Sequence, residues 1–249
     1  GFDYFVSHDN FFDLDPELSR NGASPETFSG DGSEVIVEEA LKHMDMIKDK
    51  NQPFFSVIWF GSPHTNHKAL EKDMDLYPDL PKNWQRYYGE ITAMDRAMGN
   101  LRTGLKNKGL DENTLIWYTS DNGSYKPATT IEGLRGYKGM MYEGGIRVPA
   151  LIVWPGHIRK PLETEMRGTT LDIMPTLLDL LGITLKNREL DGMSLLPLLQ
   201  GKQMSNRSVP LRFYRQSTGM NNETKYTEED LIGWWRPFKC PTHKTARTE

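Results

Sequence analysis

Three short apolar runs, each closed by turn residues and set among helix-forming stretches, set the limits on what this chain can fold into. The first, Phe54-Phe55-Ser56-Val57-Ile58-Trp59-Phe60, ends in Gly61-Ser62-Pro63-His64. The second, Thr114-Leu115-Ile116-Trp117-Tyr118-Thr119, ends in Ser120-Asp121-Asn122-Gly123. The third, Pro149-Ala150-Leu151-Ile152-Val153-Trp154, is closed by Pro155-Gly156. A strand with one wet face alternates apolar and polar residues, so unbroken apolar runs predict strands buried on both faces.

Three other stretches have helical periodicity. Asp31 with Glu34 three residues on resembles a capping box, and Ile36, Ala40, Met44 and Ile47 recur at helical spacing, which predicts a helix over roughly 33–49. Trp84, Tyr87, Tyr88, Ile91, Met94, Met98, Leu101 and Leu105 keep one face of a longer helix apolar until Gly109 stops it. A further helix runs from Leu171 to Leu181. The first thirty residues read as irregular connection with one short strand at Tyr4 to Val6. Strands alternating with helices predict an α/β fold, a mainly parallel or mixed sheet covered by helices on both faces. The pattern decays beyond Gly201, so residues 1–205 are expected to form the core and residues 206–249, with Trp234-Trp235, an appendage.

Composition excludes some partners. Across 249 residues, 34 acidic side chains stand against 30 basic ones, a net charge of -4, which gives no bulk attraction for nucleic acid. No apolar run approaches the roughly 20 residues of a membrane-spanning helix. Cys240 is the one cysteine, so neither an internal disulfide nor a cysteine-rich zinc site can be built.

In an open α/β sheet, ligands bind beyond the carboxyl ends of the strands, where two of the runs deliver polar side chains. Asp121 and Asn122 offer a carboxylate and an amide oxygen side by side, suited to a hard cation such as calcium or magnesium. An Asp-Asn-Gly sequence also favours a plain tight turn, and both readings stand on spacing alone. His64 closes the first run, where an imidazole can deliver a proton near neutral pH; His67 is its nearest rival. Lys138 lies in a glycine-rich loop between Gly123 and Gly145, where a cation would bind an oxyanion or simply face solvent.

In this order the pieces resemble the arylsulfatase-type sulfatases of the alkaline-phosphatase superfamily. The resemblance starts at Gly1-Phe2-Asp3-Tyr4-Phe5, passes through Pro63-His64-Thr65 and Thr119-Ser120-Asp121-Asn122-Gly123, and takes in Lys138 with Tyr142-Glu143-Gly144-Gly145 and Arg147-Val148-Pro149. It continues through Asp172-Ile173-Met174-Pro175-Thr176-Leu177-Leu178 to Asp191-Gly192-Met193-Ser194-Leu195-Leu196-Pro197-Leu198-Leu199. The resemblance implies that Asp121 and Asn122 are ligands of a calcium ion. It further implies that His64 protonates the ester oxygen and Lys138 holds a sulfate oxygen, with His64, Lys138 and His67 contacting a small-molecule or glycan sulfate ester. Arg147 is expected to brace the loop against Glu143, and Asp172 to serve structure.

The family's nucleophile, a formylglycine made from a cysteine or serine in a Cys-x-Pro-Ser-Arg type motif, has no match here. Cys240-Pro241-Thr242-His243-Lys244 lacks the Ser-Arg pair and lies at the far end. An early aspartate pair and a Gly-Lys-Trp-His segment are also missing. The expectation is a fragment whose upstream remainder carries these parts, inactive alone, with the intact protein a sulfuric ester hydrolase. Asn66 stands where the family often has proline. Alternatives within and outside enzyme chemistry are a phosphomonoester or phosphonate hydrolase of the same superfamily and a non-catalytic sulfated-glycan binding module. Family analogy places such proteins in secreted, periplasmic or lysosomal compartments.

Overall fold

The computed structural model describes residues 1–8, 14–47, 52–124, 133–158 and 160–209. The chain divides into Gly1–Val209 and Pro210–Glu249, and everything described belongs to the first unit. Cys240 and Trp234-Trp235 lie outside the described residues.

Two long helices carry the core. Helix α1 (Gly32–Ile47) begins where the Asp31 carboxylate accepts the Ser33 N–H at 2.9 Å, satisfying one orphan donor of the first turn. Glu34 does not complete the predicted capping box. It pairs instead with Arg96, which also grips the buried Asp73, so both carboxylates are held by the two edges of one guanidinium. This links α1 to α2 (Glu71–Met74) and α3 (Lys82–Asn107).

Along α3 the buried stripe is Gly89, Ala93, Ala97, Leu101 and Leu105, a strict spacing of four. The small residues let the helices approach closely: a Cβ on Gly89 would lie 2.8 Å from that of Ala69, and one on Gly104 would lie 2.6 Å from the Leu41 methyls. Val37 and Met44 of α1 close the core against Ala97, Leu101 and Leu105.

The strands are shorter than the runs that predict them. β1 (Val6–Ser7), β2 (Glu17–Arg20) and β3 (Glu26–Thr27) form an antiparallel meander before α1. β4 (Ile116–Thr119) pairs antiparallel with β5 (Ala150–Val153), Ile116 opposite Val153 and Thr119 opposite Ala150. The fold class is α/β as expected, but the ladders among the described residues are antiparallel.

The run Phe54 to Phe60 differs from its prediction as a strand buried on both faces. It forms no ladder among the described residues. Phe54, Ile58 and Phe60 pack on the α1–α3 core, while Phe55 and Trp59 point away with 62% and 85% of their surface exposed. One face is satisfied by helices; the other has no covering layer among the described residues.

A single helical turn, α4 (Glu143–Ile146), precedes β5, after which the chain turns into α5 (Ile173–Leu180) and a final helical turn, α6 (Leu196–Leu199). Asp172, fully buried, accepts the Thr169 N–H at 2.7 Å and the Met193 N–H at 2.9 Å and pairs with Arg207. Asn206 accepts the Arg167 N–H at 3.1 Å. Asn206 and Arg207 are therefore tied to the segment around Arg167 and Asp172.

Candidate active site

The loop after Phe60 is held at three points. The Ser33 hydroxyl at the start of α1 lies 3.4 Å from that of Ser62, and the His64 N–H closes a turn on the Gly61 carbonyl at 3.1 Å. From α3, Glu90 accepts the Lys68 N–H at 2.6 Å. His64 itself is exposed, and its Nδ1 lies 2.7 Å from the Thr65 carbonyl oxygen. A carbonyl can only accept, so Nδ1 carries a proton and exchange in general acid–base work belongs to Nε2.

His67 is mostly buried, its Nδ1 3.0 Å from Glu90 Oε2 and its ring edge-on to Tyr87 at 5.1 Å. Burial lowers its pKa, and the nearby charge of His64 lowers it further. Burial likewise pushes the Glu90 carboxyl up to about 8, with the Lys68 N–H opposing and the Asp31 charge adding to the rise. Both partners thus resist charging, so the Glu90 Oε2–His67 Nδ1 contact joins two groups that burial pushes toward their neutral forms.

The second half of the site grows from the end of β4. The Ser120 hydroxyl donates to the Asn122 carbonyl at 3.0 Å, and Asn122 Nδ2 donates to the Gly123 carbonyl at 3.2 Å, so Oδ1 is the amide atom suited to a cation. Asp121 is exposed beside it. The Gly123 N–H donates to the Gly145 carbonyl at 2.9 Å, and a Cβ on Gly123 would lie 2.0 Å from the Gly144 carbonyl oxygen. Only glycine permits that approach. The Lys138 N–H donates to the Ser124 carbonyl at 2.8 Å, so the segment bearing the exposed Lys138 is fastened beside the Asp121-Asn122 turn. Within the same loop Arg147 meets Glu143 at 3.3 Å, and the Arg135 guanidinium covers the Tyr142 ring at 3.9 Å.

His64 and His67 therefore share one loop over α3, while Asp121 and Asn122 share a glycine-locked turn with the Lys138 segment. Phe54, Ile58 and Phe60 before the first and Ile116 before the second pack against the same core. Sequence reasoning missed Glu90. Its signal was a carboxylate set among Tyr87, Tyr88 and Ile91 on a helix otherwise read as plain packing.

The donors at Asp121 and Asn122 fit a hard cation in kind, since both are oxygens. They fall short in number of the usual six to eight, and among the described residues no three His, Cys, Asp or Glu side chains gather as a metal centre. No described helix is long and apolar enough to cross a membrane.

The sequence profile of the Sulfatase family matches residues 1–183. The uncharacterized sulfatase YdeN of Escherichia coli is 27% identical over 99% of this chain and 43% of its own length. The N-acetylgalactosamine-6-sulfatase of Mus musculus is 35% identical over 83% of this chain and 40% of its own. Among solved structures, Ps i-CgsB in complex with k-i-k-neocarrahexaose superposes with a TM-score of 0.69 at 30% identity, over 75% of this chain and 42% of that one. The chain thus spans less than half the length of each of these relatives.

Proposed function

The chain belongs to the sulfatase family, and on that premise we propose that the protein it represents hydrolyses sulfate esters, with His64, Lys138, Asp121 and Asn122 as its contribution to the active site. The observation that supports this reading is the fastening of the Lys138 segment beside the Asp121-Asn122 turn through Gly123, Gly145 and Ser124, which brings the three proposed site residues onto neighbouring backbone.

The chemistry follows from the groups. Cleaving a sulfate ester breaks the bond between sulfur and the ester oxygen, and that oxygen keeps the electron pair. His64 Nε2 delivers the proton this oxygen needs to leave. Lys138 binds a sulfate oxygen and offsets the negative charge that gathers there. Asp121 and Asn122 would hold a calcium ion, which supplies fixed positive charge when bound. His67, in the same loop as His64, is the further proposed contact to the ester. The formylglycine nucleophile that the resemblance implies has no matching motif in this sequence, and the proposal assigns it to a part of the protein outside this chain. The substrate class is a small-molecule or glycan sulfate ester. Among the relatives, the enzyme of Mus musculus is named for a sulfated sugar, N-acetylgalactosamine-6-sulfatase, and one of Rattus norvegicus for a sterol, steryl-sulfatase.

The test is turnover of an aryl sulfate and of a sulfated monosaccharide by the whole protein, with the matching phosphate esters as comparison. Release of sulfate in preference to phosphate supports the proposal. Preference for phosphate, or binding without turnover, overturns it.

A further inference from the structure

The buried carboxylate on α3 has a place that the proposed chemistry leaves unused. Glu90 is only 2% exposed, and each of its oxygens takes a partner from the loop that presents His64: Oε1 accepts the Lys68 N–H at 2.6 Å, and Oε2 meets His67 Nδ1 at 3.0 Å. A carboxyl group pulled out of water loses its hydration unless hydrogen bonds replace it, so the fold keeps this one only because the loop satisfies both oxygens. In return the loop gains an anchor at one end of a six-residue span that begins at the Ser33–Ser62 contact.

We infer that Glu90 is the positioning residue of the proton-delivering loop, gripping the His67 ring and the Lys68 backbone together and so fixing where the His64 imidazole is presented. The inference rests on the proposed role of His64. Three features support the grip over simple core filling. Glu90 is buried on α3 along with Tyr87, Gly89 and Ala93, at a position where an apolar side chain would pack at lower cost. The Tyr87 ring, one turn back on the same helix, meets the edge of His67 and closes the other side of the imidazole. His64 and His67 lie close enough for the charge of one to influence the other, so a displaced His67 is felt at His64.

Glu90→Gln keeps an acceptor for the Lys68 N–H and a donor for His67 Nδ1, whereas Glu90→Ala removes both. In the whole protein, Glu90→Ala is expected to lower kcat for a sulfate ester by about 100-fold with KM little changed, the cost of a catalytic group held out of place. Glu90→Gln should restore most of the loss. Equal loss in both variants, or none in either, overturns the inference. A second reading needs no turnover: in Glu90→Ala the imidazole NMR signals of His64 and His67 should both move, while those of His43 and His157, stacked on Tyr4 and Trp154, stay in place. If those signals move but no sulfate ester is cleaved, the grip stands and the sulfatase reading fails; if they do not move, the grip fails. Should Glu90→Ala not fold, the unaltered chain still decides, because the Lys68 amide must resist hydrogen exchange as the α3 amides do. Exchange at the rate of an open loop overturns the inference.

Discussion

Burial keeps the Glu90 carboxyl protonated up to about pH 8, and this gives the fold a pH signature of definite sign. A carboxyl whose folded pKa is raised above its ordinary 4.5 stabilises the fold below that value and loses the contribution as pH rises through about 8. His67, whose pKa burial lowers, acts in the opposite sense below its ordinary 6.5, so the interval from 6.5 to about 8 isolates Glu90 within the pair. Across it the Tm of the unaltered protein should fall relative to that of Glu90→Gln, whose amide does not titrate. Parallel pH profiles would show that the carboxyl ionises normally. At the cation corner, Asp121→Ala should weaken calcium binding by the whole protein in a calorimetric titration, and an unchanged isotherm would remove Asp121 from the site. At this scale the placing of His64 and Asp121-Asn122 directly after apolar runs was legible in the sequence, and it is this placing that makes them candidates for ligand contact. Glu90 was not, because a carboxylate on an amphipathic helix reads as solvent-facing until tertiary packing buries it.

At the scale of elements, α1, α3 and the β4–β5 pair lie within a few residues of their apolar patterns, although β4 and β5 are not buried on both faces as those patterns predict, Leu151 being 59% exposed. Periodicity over long spans is a strong local signal. The buried stripe of α3 was less visible. Its upper half is Gly89, Ala93 and Ala97, which contribute closeness rather than apolar mass and leave little mark on a hydrophobic pattern. Gly89→Val should therefore destabilise the protein by about 2 kcal/mol, because its side chain would collide with Ala69 and the Asp73 backbone. A urea midpoint equal to that of the parent would show that the α2–α3 contact is loose. The Phe54 to Phe60 run shows what local pattern omits: its residues demand burial on two sides, but the layer that covers the second side is specified elsewhere.

For the molecule as a whole, the exposed face of that run is the feature with physical consequences. Phe55 and Trp59 point outward together, Phe2 stacks on Phe55 at 6.1 Å, and the backbone beside them has no ladder partner among the described residues. An open apolar edge of this kind associates with other edges. This chain alone should self-associate with rising concentration in sedimentation velocity, and Phe55→Thr with Trp59→Lys should suppress it; a monomer at all concentrations would mean the face is covered. The proposed chemistry requires more, that the His64 loop and the Asp121-Asn122-Lys138 corner serve one bound sulfate ester. The direct test is kcat/KM of the whole protein on a sulfate ester, with His64→Ala and Lys138→Ala each measured beside the parent. Each substitution should lower it by about 100-fold or more with the fold retained, as loss of a proton donor or a charge-stabilising group does; turnover unchanged in both would contradict the account.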